Sequence, residues 1–316
     1  MPVVGLIGVG LIGRSWANVF ARAGWEVRIT DSDSAVLGQA AAPIADTLHD
    51  LARHGLVSDP GAAAARVRTV STLEEAVAGA DFVQESGPET LQAKIEIYRR
   101  LDAAAPEETV LASSTSAIVA SRFTEDLAGR TRCLVAHPVN PPHVVPIVEL
   151  CGAPWTAPEA IEKARTVFAS VGQVPIVVRR EIDGFILNRL QAVLLSEAFR
   201  LVGEGYCTAE DLDKTIRDGL GLRWAFMGPF ETIELNAPGG TPDYCTRYGE
   251  TLYRLSSRPV TPDVWEAENT ARVVASWGHR PTEEEIKQKS RWRDDRLAAL
   301  IAHKRQQKPF DRSSRG

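Results

Sequence analysis

Hydrophobic and polar positions change their period a little past the middle of the chain. In the first half, short apolar runs recur between longer stretches of helical spacing. The runs are Val3 to Ile7, Glu26 to Thr30, Val67 to Val70, Asp81 to Glu85, Val110 to Ala112, Cys133 to Ala136 and Ile147 to Leu150, with Val174 to Val178 as the last. Runs of this length between turn residues predict strands. Leu11 to Ala23 and Leu91 to Ala103 repeat at helical period between them. The alanine-rich stretch Ala35 to Ala65 fits a helical hairpin turned near Ser58-Asp59-Pro60-Gly61. Such alternation predicts an α/β fold with a doubly wound, mainly parallel sheet. From Gly184 onward only helical spacing remains, beginning with Phe185 to Val202. The chain therefore divides into an α/β domain, 1–183, and an all-α domain, 184–316. The tail from His303 to Gly316 is basic, polar and uncapped, and is expected to be frayed or disordered.

Composition narrows the functional classes. With 316 residues the chain is long enough for two cores. A net charge of −5 disfavours general affinity for nucleic acid or anionic membranes. No apolar run reaches the length of a membrane span, and the apolar start is broken by Gly5, Gly8, Gly10 and Gly13 without a basic flank. Cys133, Cys151, Cys207 and Cys245 stand far apart, without CxxC or Cys/His spacing. They are expected to be reduced thiols, most of them packed in apolar surroundings, in a cytoplasmic protein without a metal site.

Two sets of residues carry chemistry. Gly8-Val9-Gly10-Leu11-Ile12-Gly13 matches GxGxxG between a strand and a helix, the dinucleotide-binding fingerprint of a Rossmann domain. Asp31 ends the second strand, where a carboxylate accepts hydrogen bonds from the adenosine ribose and repels a 2′-phosphate. No Arg or Lys follows directly, so NAD is expected rather than NADP. The second set lies at carboxyl ends of later strands, where open α/β sheets bind ligands. It comprises Ser113-Ser114-Thr115-Ser116, Ala136-His137-Pro138-Val139-Asn140-Pro141 and Glu149, with Gly184-Phe185-Ile186-Leu187-Asn188-Arg189 opening the second domain. His143 is a rival to His137 but is expected to be structural; His49, His54, His279 and His303 are expected at the surface.

These motifs, with Met227-Gly228-Pro229-Phe230-Glu231-Thr232, resemble the 3-hydroxyacyl-CoA dehydrogenase superfamily over nearly the whole chain. Within it the sequence is most similar to the lambda-crystallin group, which includes L-gulonate 3-dehydrogenase. The intervals of twelve residues from His137 to Glu149 and twenty-one back to Ser116 match that pattern. The resemblance implies NAD-dependent oxidation of a secondary alcohol. His137 would be the general base, oriented by Glu149, with Ser116 and Asn188 holding the substrate oxygen. It also implies that Glu89 and Lys94 approach the nicotinamide-side ribose; a helix start with a solvated lysine is the plainer alternative. A homodimer through the helical domain is implied as well, for which Leu190, Val193, Leu194 and Phe199 offer apolar positions.

The substrate is less firmly written in the sequence. Ala35 to Ala65 holds no lysine, and Arg53 is its only arginine, which argues against a phosphate-rich CoA ester. Arg223, in Gly221-Leu222-Arg223-Trp224, suits a substrate carboxylate, with Trp224 walling the pocket. A surface arginine packed on a core tryptophan is the alternative. The expectation is a small 3-hydroxy acid such as L-gulonate. L-carnitine, a 3-hydroxyacyl-CoA ester and a crystallin-like protein without turnover stand as alternatives.

Overall fold

The computed structural model describes residues 1–256, 261–275 and 278–307. They separate into two compact units, Met1–Asn188 together with the residues from Ile286, and Arg189–Glu285. The sequence division at 183/184 lies five residues before the first unit boundary, and the last helix groups with the α/β unit.

Unit one is built on eight strands: β1 (Val3–Ile7), β2 (Glu26–Thr30), β3 (Val67–Thr69), β4 (Phe82–Glu85), β5 (Val110–Ser113), β6 (Cys133–Pro138), β7 (Ile147–Gly152) and β8 (Val174–Val178). Their order is β3-β2-β1-β4-β5-β6-β7-β8, and every pair is parallel except β6 with β7. The order reverses direction at β1, between β2 and β4. That is the switch point at which a doubly wound sheet opens a ligand crevice.

Alternation along the strands builds a core on each face of the sheet. Val4, Leu6, Phe82, Val110, Ala112, Leu134, Ala136, Val148 and Leu150 join one cluster, with Trp16, Phe20 and Phe168 from the covering helices. Ile7, Val83, Leu111, Cys133, Val135 and Cys151 join the other, with Tyr98, Leu101, Phe123 and Phe185. Near-continuous apolar strands such as Phe82-Val83 are the consequence, since both faces are covered.

The Ala35–Ala65 stretch forms three helices rather than a simple hairpin: Ser34–Gly38, Ala41–Arg53 and Pro60–Ala64. Asp33 and Asp59 cap the short ones by accepting backbone N–H groups, so each restart has a local cause. The expected frayed tail is also corrected at its beginning. The helix Glu283–Gln306 runs through His303, because Ala298 is buried in the first cluster and Leu297, Ile301 and Ala302 pack against it. Residues 308–316 lie outside the described residues.

Unit two has no strand among its described residues. It contains the greater part of the helix Leu187–Gly203, then Ala209–Lys214, Gly221–Trp224, Pro229–Glu234, Gly240–Ser256 and Ala267–Ala275. Phe199 and Trp265 meet within it at 4.8 Å between ring centroids.

Candidate active site

Antiparallel pairing of β6 with β7 sets His137 directly opposite Glu149. Two residues in such a register point their side chains to the same face, within reach of each other. The outcome is a 2.8 Å contact between His137 Nδ1 and Glu149 Oε2, with both residues buried. Both lie inside their strands, not after or at the end of them as the sequence suggested, because the ladder continues to Pro138 and Gly152.

The other Glu149 oxygen is used as well. Oε1 accepts the backbone N–H of Ile186 at 2.9 Å and of Leu187 at 3.0 Å. These amides are presented by a sharp turn in which Gly184 and Phe185 have φ of 75° and 49°. A left-handed phenylalanine costs about 1–3 kcal/mol. Its ring is wholly buried and lies 5.3 Å from the imidazole, centroid to centroid. Glu149 therefore holds the imidazole on one side and the 184–188 turn on the other. With Nδ1–H donating to the carboxylate, Nε2 keeps its lone pair for a proton.

Asn188 lies in the first turn of the helix Leu187–Gly203 that follows, and its amide donates to the Ser116 carbonyl at 3.0 Å. Glu89 holds the same loop. Its Oε1 accepts from the Thr115 hydroxyl and from the N–H groups of Ser116, at 2.9 Å, and Ala117, at 3.1 Å. Lys94 is not the solvated lysine of the plainer alternative. It is 1% exposed, and its ammonium lies 2.7 Å from Glu85 Oε1 and 3.0 Å from Oε2. Glu85 also accepts from Ser113 Oγ at 2.6 Å. Glu85 is marked in the sequence only by the polar Gln84-Glu85 pair that ends an apolar central strand.

The glycine motif meets the steric demands of a dinucleotide turn. A Cβ at Gly8, where φ is 92°, would lie 2.6 Å from the Ser86 carbonyl oxygen. One at Gly13 would fall 1.8 Å from the Gly8 oxygen, while nothing lies within 4 Å of the same point at Gly10. That open space is where a pyrophosphate backbone approach is needed. The helix Leu11–Arg22 begins at Gly10 with no side-chain cap and no acidic residue in its first turn, leaving its amides for an anion. Asp31 Oδ2 accepts the Val9 N–H at 2.8 Å, and Oδ1 that of Asp33 at 2.9 Å. The residues present fit a dinucleotide.

The chain belongs to the 3-hydroxyacyl-CoA dehydrogenase family. The model of its NAD binding domain matches residues 3–182, and that of its C-terminal domain residues 184–273. The chain is 38% identical to a lambda-crystallin homolog of Rattus norvegicus, over 96% of this chain and 97% of the relative. It is 36% identical to an L-carnitine dehydrogenase of Pseudomonas putida, over 93% and 91% respectively. Among solved structures, 5-formyl-3-hydroxy-2-methylpyridine 4-carboxylic acid 5-dehydrogenase, an NAD+ dependent dismutase, superposes with a TM-score of 0.85. It covers 98% of this chain and 100% of its own, at 29% identity. NAD is the cofactor of the family, and the α/β unit described above is its binding domain.

The remaining candidates separate clearly. His143 is buried against Ser15 Oγ at 3.1 Å, and burial, with Arg22 and Arg293 nearby, lowers its pKa to about 4. It is structural, as expected. His54 departs from the surface expectation: it is half-buried and pairs with Asp295 of the last helix at 2.7 Å. Only two of the four cysteines, Cys133 and Cys151, are buried; Cys207 is partly exposed and Cys245 exposed, and both lie in the helical unit. Arg223 and Trp224 lie on the helix Gly221–Trp224 of unit two, both exposed. Among the described residues there is no His/Cys/Asp/Glu cluster fit for a metal ion, and no helix long and apolar enough to cross a membrane.

Proposed function

We propose that the protein oxidises the secondary alcohol of a small 3-hydroxy acid, in the manner of L-gulonate 3-dehydrogenase. The observation that carries the chemistry is the buried His137–Glu149 pair, 2.8 Å apart, beside the Ser116–Asn188 contact. His137 Nε2 takes the hydroxyl proton, and Glu149 stabilises the imidazolium that results. NAD+, when bound, accepts the hydride. An amide nitrogen has two hydrogens. One Asn188 hydrogen serves the Ser116 carbonyl and the other serves the substrate oxygen, together with Ser116 Oγ.

The choice of a small acid rests on the lysine-free Ala35–Ala65 segment, which carries no set of cations for CoA phosphates. Its Arg53 is engaged by Asp50 at 3.1 Å. The L-gulonate class rests on the sequence resemblance to the lambda-crystallin group, and the L-carnitine dehydrogenase relative supports the second candidate, a hydroxy acid bearing a quaternary ammonium. Carboxylate recognition is assigned to Arg223, with Trp224 beside it, on side-chain chemistry. Leu190, Val193 and Leu194, all exposed on the helix Leu187–Gly203, support a homodimer. The free thiols suit a reducing, cytoplasmic setting.

The test is NADH formation from L-gulonate, L-carnitine, 3-hydroxybutyrate and 3-hydroxybutyryl-CoA, each with NAD+ and NADP+. Highest kcat/KM for a free hydroxy acid with NAD+, raised KM in Arg223→Ala, and a dimer in light scattering are the expected results. Preference for the CoA ester overturns the substrate assignment.

A further inference from the structure

The order of hydrogen bonds around Ser114 defines the direction of a proton-donor chain ending at Ser86. The Trp16 indole N–H donates to Ser114 Oγ at 3.0 Å, and the Gln84 amide nitrogen donates to the same oxygen at 2.6 Å. An indole nitrogen donates only. The orientation of Gln84 is set by a second neighbour, the Ala136 carbonyl 3.4 Å from Nε2, which would repel an oxygen in that place. A hydroxyl oxygen has two lone pairs, so Trp16 and Gln84 occupy both. The hydrogen of Ser114 is then left for Ser86 Oγ, 2.9 Å away. Ser86 accepts in that contact, and its own hydrogen is free to serve another acceptor. Ser114 is the hydrogen-bond partner of the Ser86 hydroxyl among the described residues.

Position indicates what that acceptor is. Ser86 follows β4 and borders the glycine turn: the Cβ that Gly13 lacks would lie 3.7 Å from the Ser86 Cβ. Its backbone N–H donates to Ile7, the last residue of β1, at 2.7 Å. In the sheet, β4 lies on the far side of β1 from β2, which leads to Asp31, and on the near side of β6, which carries His137. Trp16 and Gln84 are wholly buried, so the chain is fixed before any ligand arrives. We propose that the Ser86 hydroxyl is a preorganised donor to an oxygen of the nicotinamide-side phosphate or ribose of the dinucleotide. The donors behind it polarise the hydroxyl and strengthen that bond. The proposal rests on the assignment of NAD and adds a binding residue outside the glycine motif and the acid–base pair.

Calorimetric titration of the full chain with NADH, ADP-ribose and AMP tests it, alongside thermal unfolding without ligand. Ser86→Ala is expected to raise Kd for NADH and ADP-ribose about tenfold, the effect of one hydrogen bond to a polar or charged oxygen. AMP affinity and the melting temperature stay near wild type, and Ser86→Thr restores binding. Binding of NADH and ADP-ribose by Ser86→Ala within twofold of wild type overturns the proposal, as does an equal loss for AMP. A lowered melting temperature with unchanged affinity also overturns it, because the serine would then be structural. Failure of the wild-type chain to bind NADH would instead count against the cofactor assignment.

Discussion

Lys94 and Glu85 form an ion pair sealed inside the α/β unit, with side chains 1% and 0% exposed and the ammonium 2.7 Å from the carboxylate. The pair ties the helix Leu91–Ala104 to the end of β4, one residue from Ser86 and next to the Ser113 hydroxyl. Removing one charge leaves the other buried without compensation, at a cost of about 3–5 kcal/mol. Lys94→Met should therefore lower the melting temperature sharply, and Glu85→Gln in addition should recover part of the loss. Denaturant unfolding of the two variants checks this; Lys94→Met as stable as wild type contradicts it.

Glu149 does two jobs through its two oxygens, one toward the imidazole and one toward the turn before Asn188. Glu149→Gln keeps an acceptor but loses the charge that stabilises an imidazolium. A fall in kcat of about 10²–10⁴-fold is expected, with the Kd for NADH within a few-fold of wild type. Stopped-flow measurement of NADH formation, with a separate NADH titration, resolves the two effects.

The glycine turn has no room for a methyl group at Gly13, where a Cβ would overlap the Gly8 carbonyl. Gly13→Ala must push the helix Leu11–Arg22 away from β1, which displaces the helix N-terminus from the pyrophosphate position. NADH binding should weaken by about 100-fold or more, a loss of roughly 3 kcal/mol. Circular dichroism distinguishes this from global unfolding. The same substitution at Gly10 meets no atom within 4 Å of the added carbon and should disturb the empty fold little, while hindering the dinucleotide.

His143 makes stability depend on pH. Burial foremost, then the positive Arg22 and Arg293, lower its pKa to about 4 from the ordinary 6.5 of an imidazole. Above pH 6.5 neither state is protonated there, and the residue adds no pH dependence. As pH falls toward 4, the unfolded chain binds a proton that the folded chain refuses, so stability is lost. The loss approaches about 3 kcal/mol at the acid end of that window. His143→Gln should flatten the decline between pH 6.5 and 4 in chemical denaturation; an unchanged slope refutes the assignment.

The strands and the glycine turn were legible because their signals are local. Two-sided burial makes β4 and β6 read as apolar runs, and the steric demand at Gly8 and Gly13 is met within a few residues of each. His137 and Glu149 were found through an interval of twelve residues and a family resemblance, yet their placement within the strands was missed, since the length of a ladder depends on its partner. The solvated alternative for Lys94 fails for a related reason. A lysine on a helix looks solvated until the strand carrying Glu85 is laid beside it.

The sequence alone determined the α/β alternation, the dinucleotide turn and the candidates for acid–base work, because each depends on short-range period, local backbone sterics or side-chain type. Tertiary structure decided which polar groups meet: Glu85 with Lys94, Glu149 with the 184–188 turn, and Ser114 between Trp16, Gln84 and Ser86. Those contacts join residues as many as 98 positions apart. Their energies arise only when the packed sheet removes water from both partners, which no local pattern along the chain records.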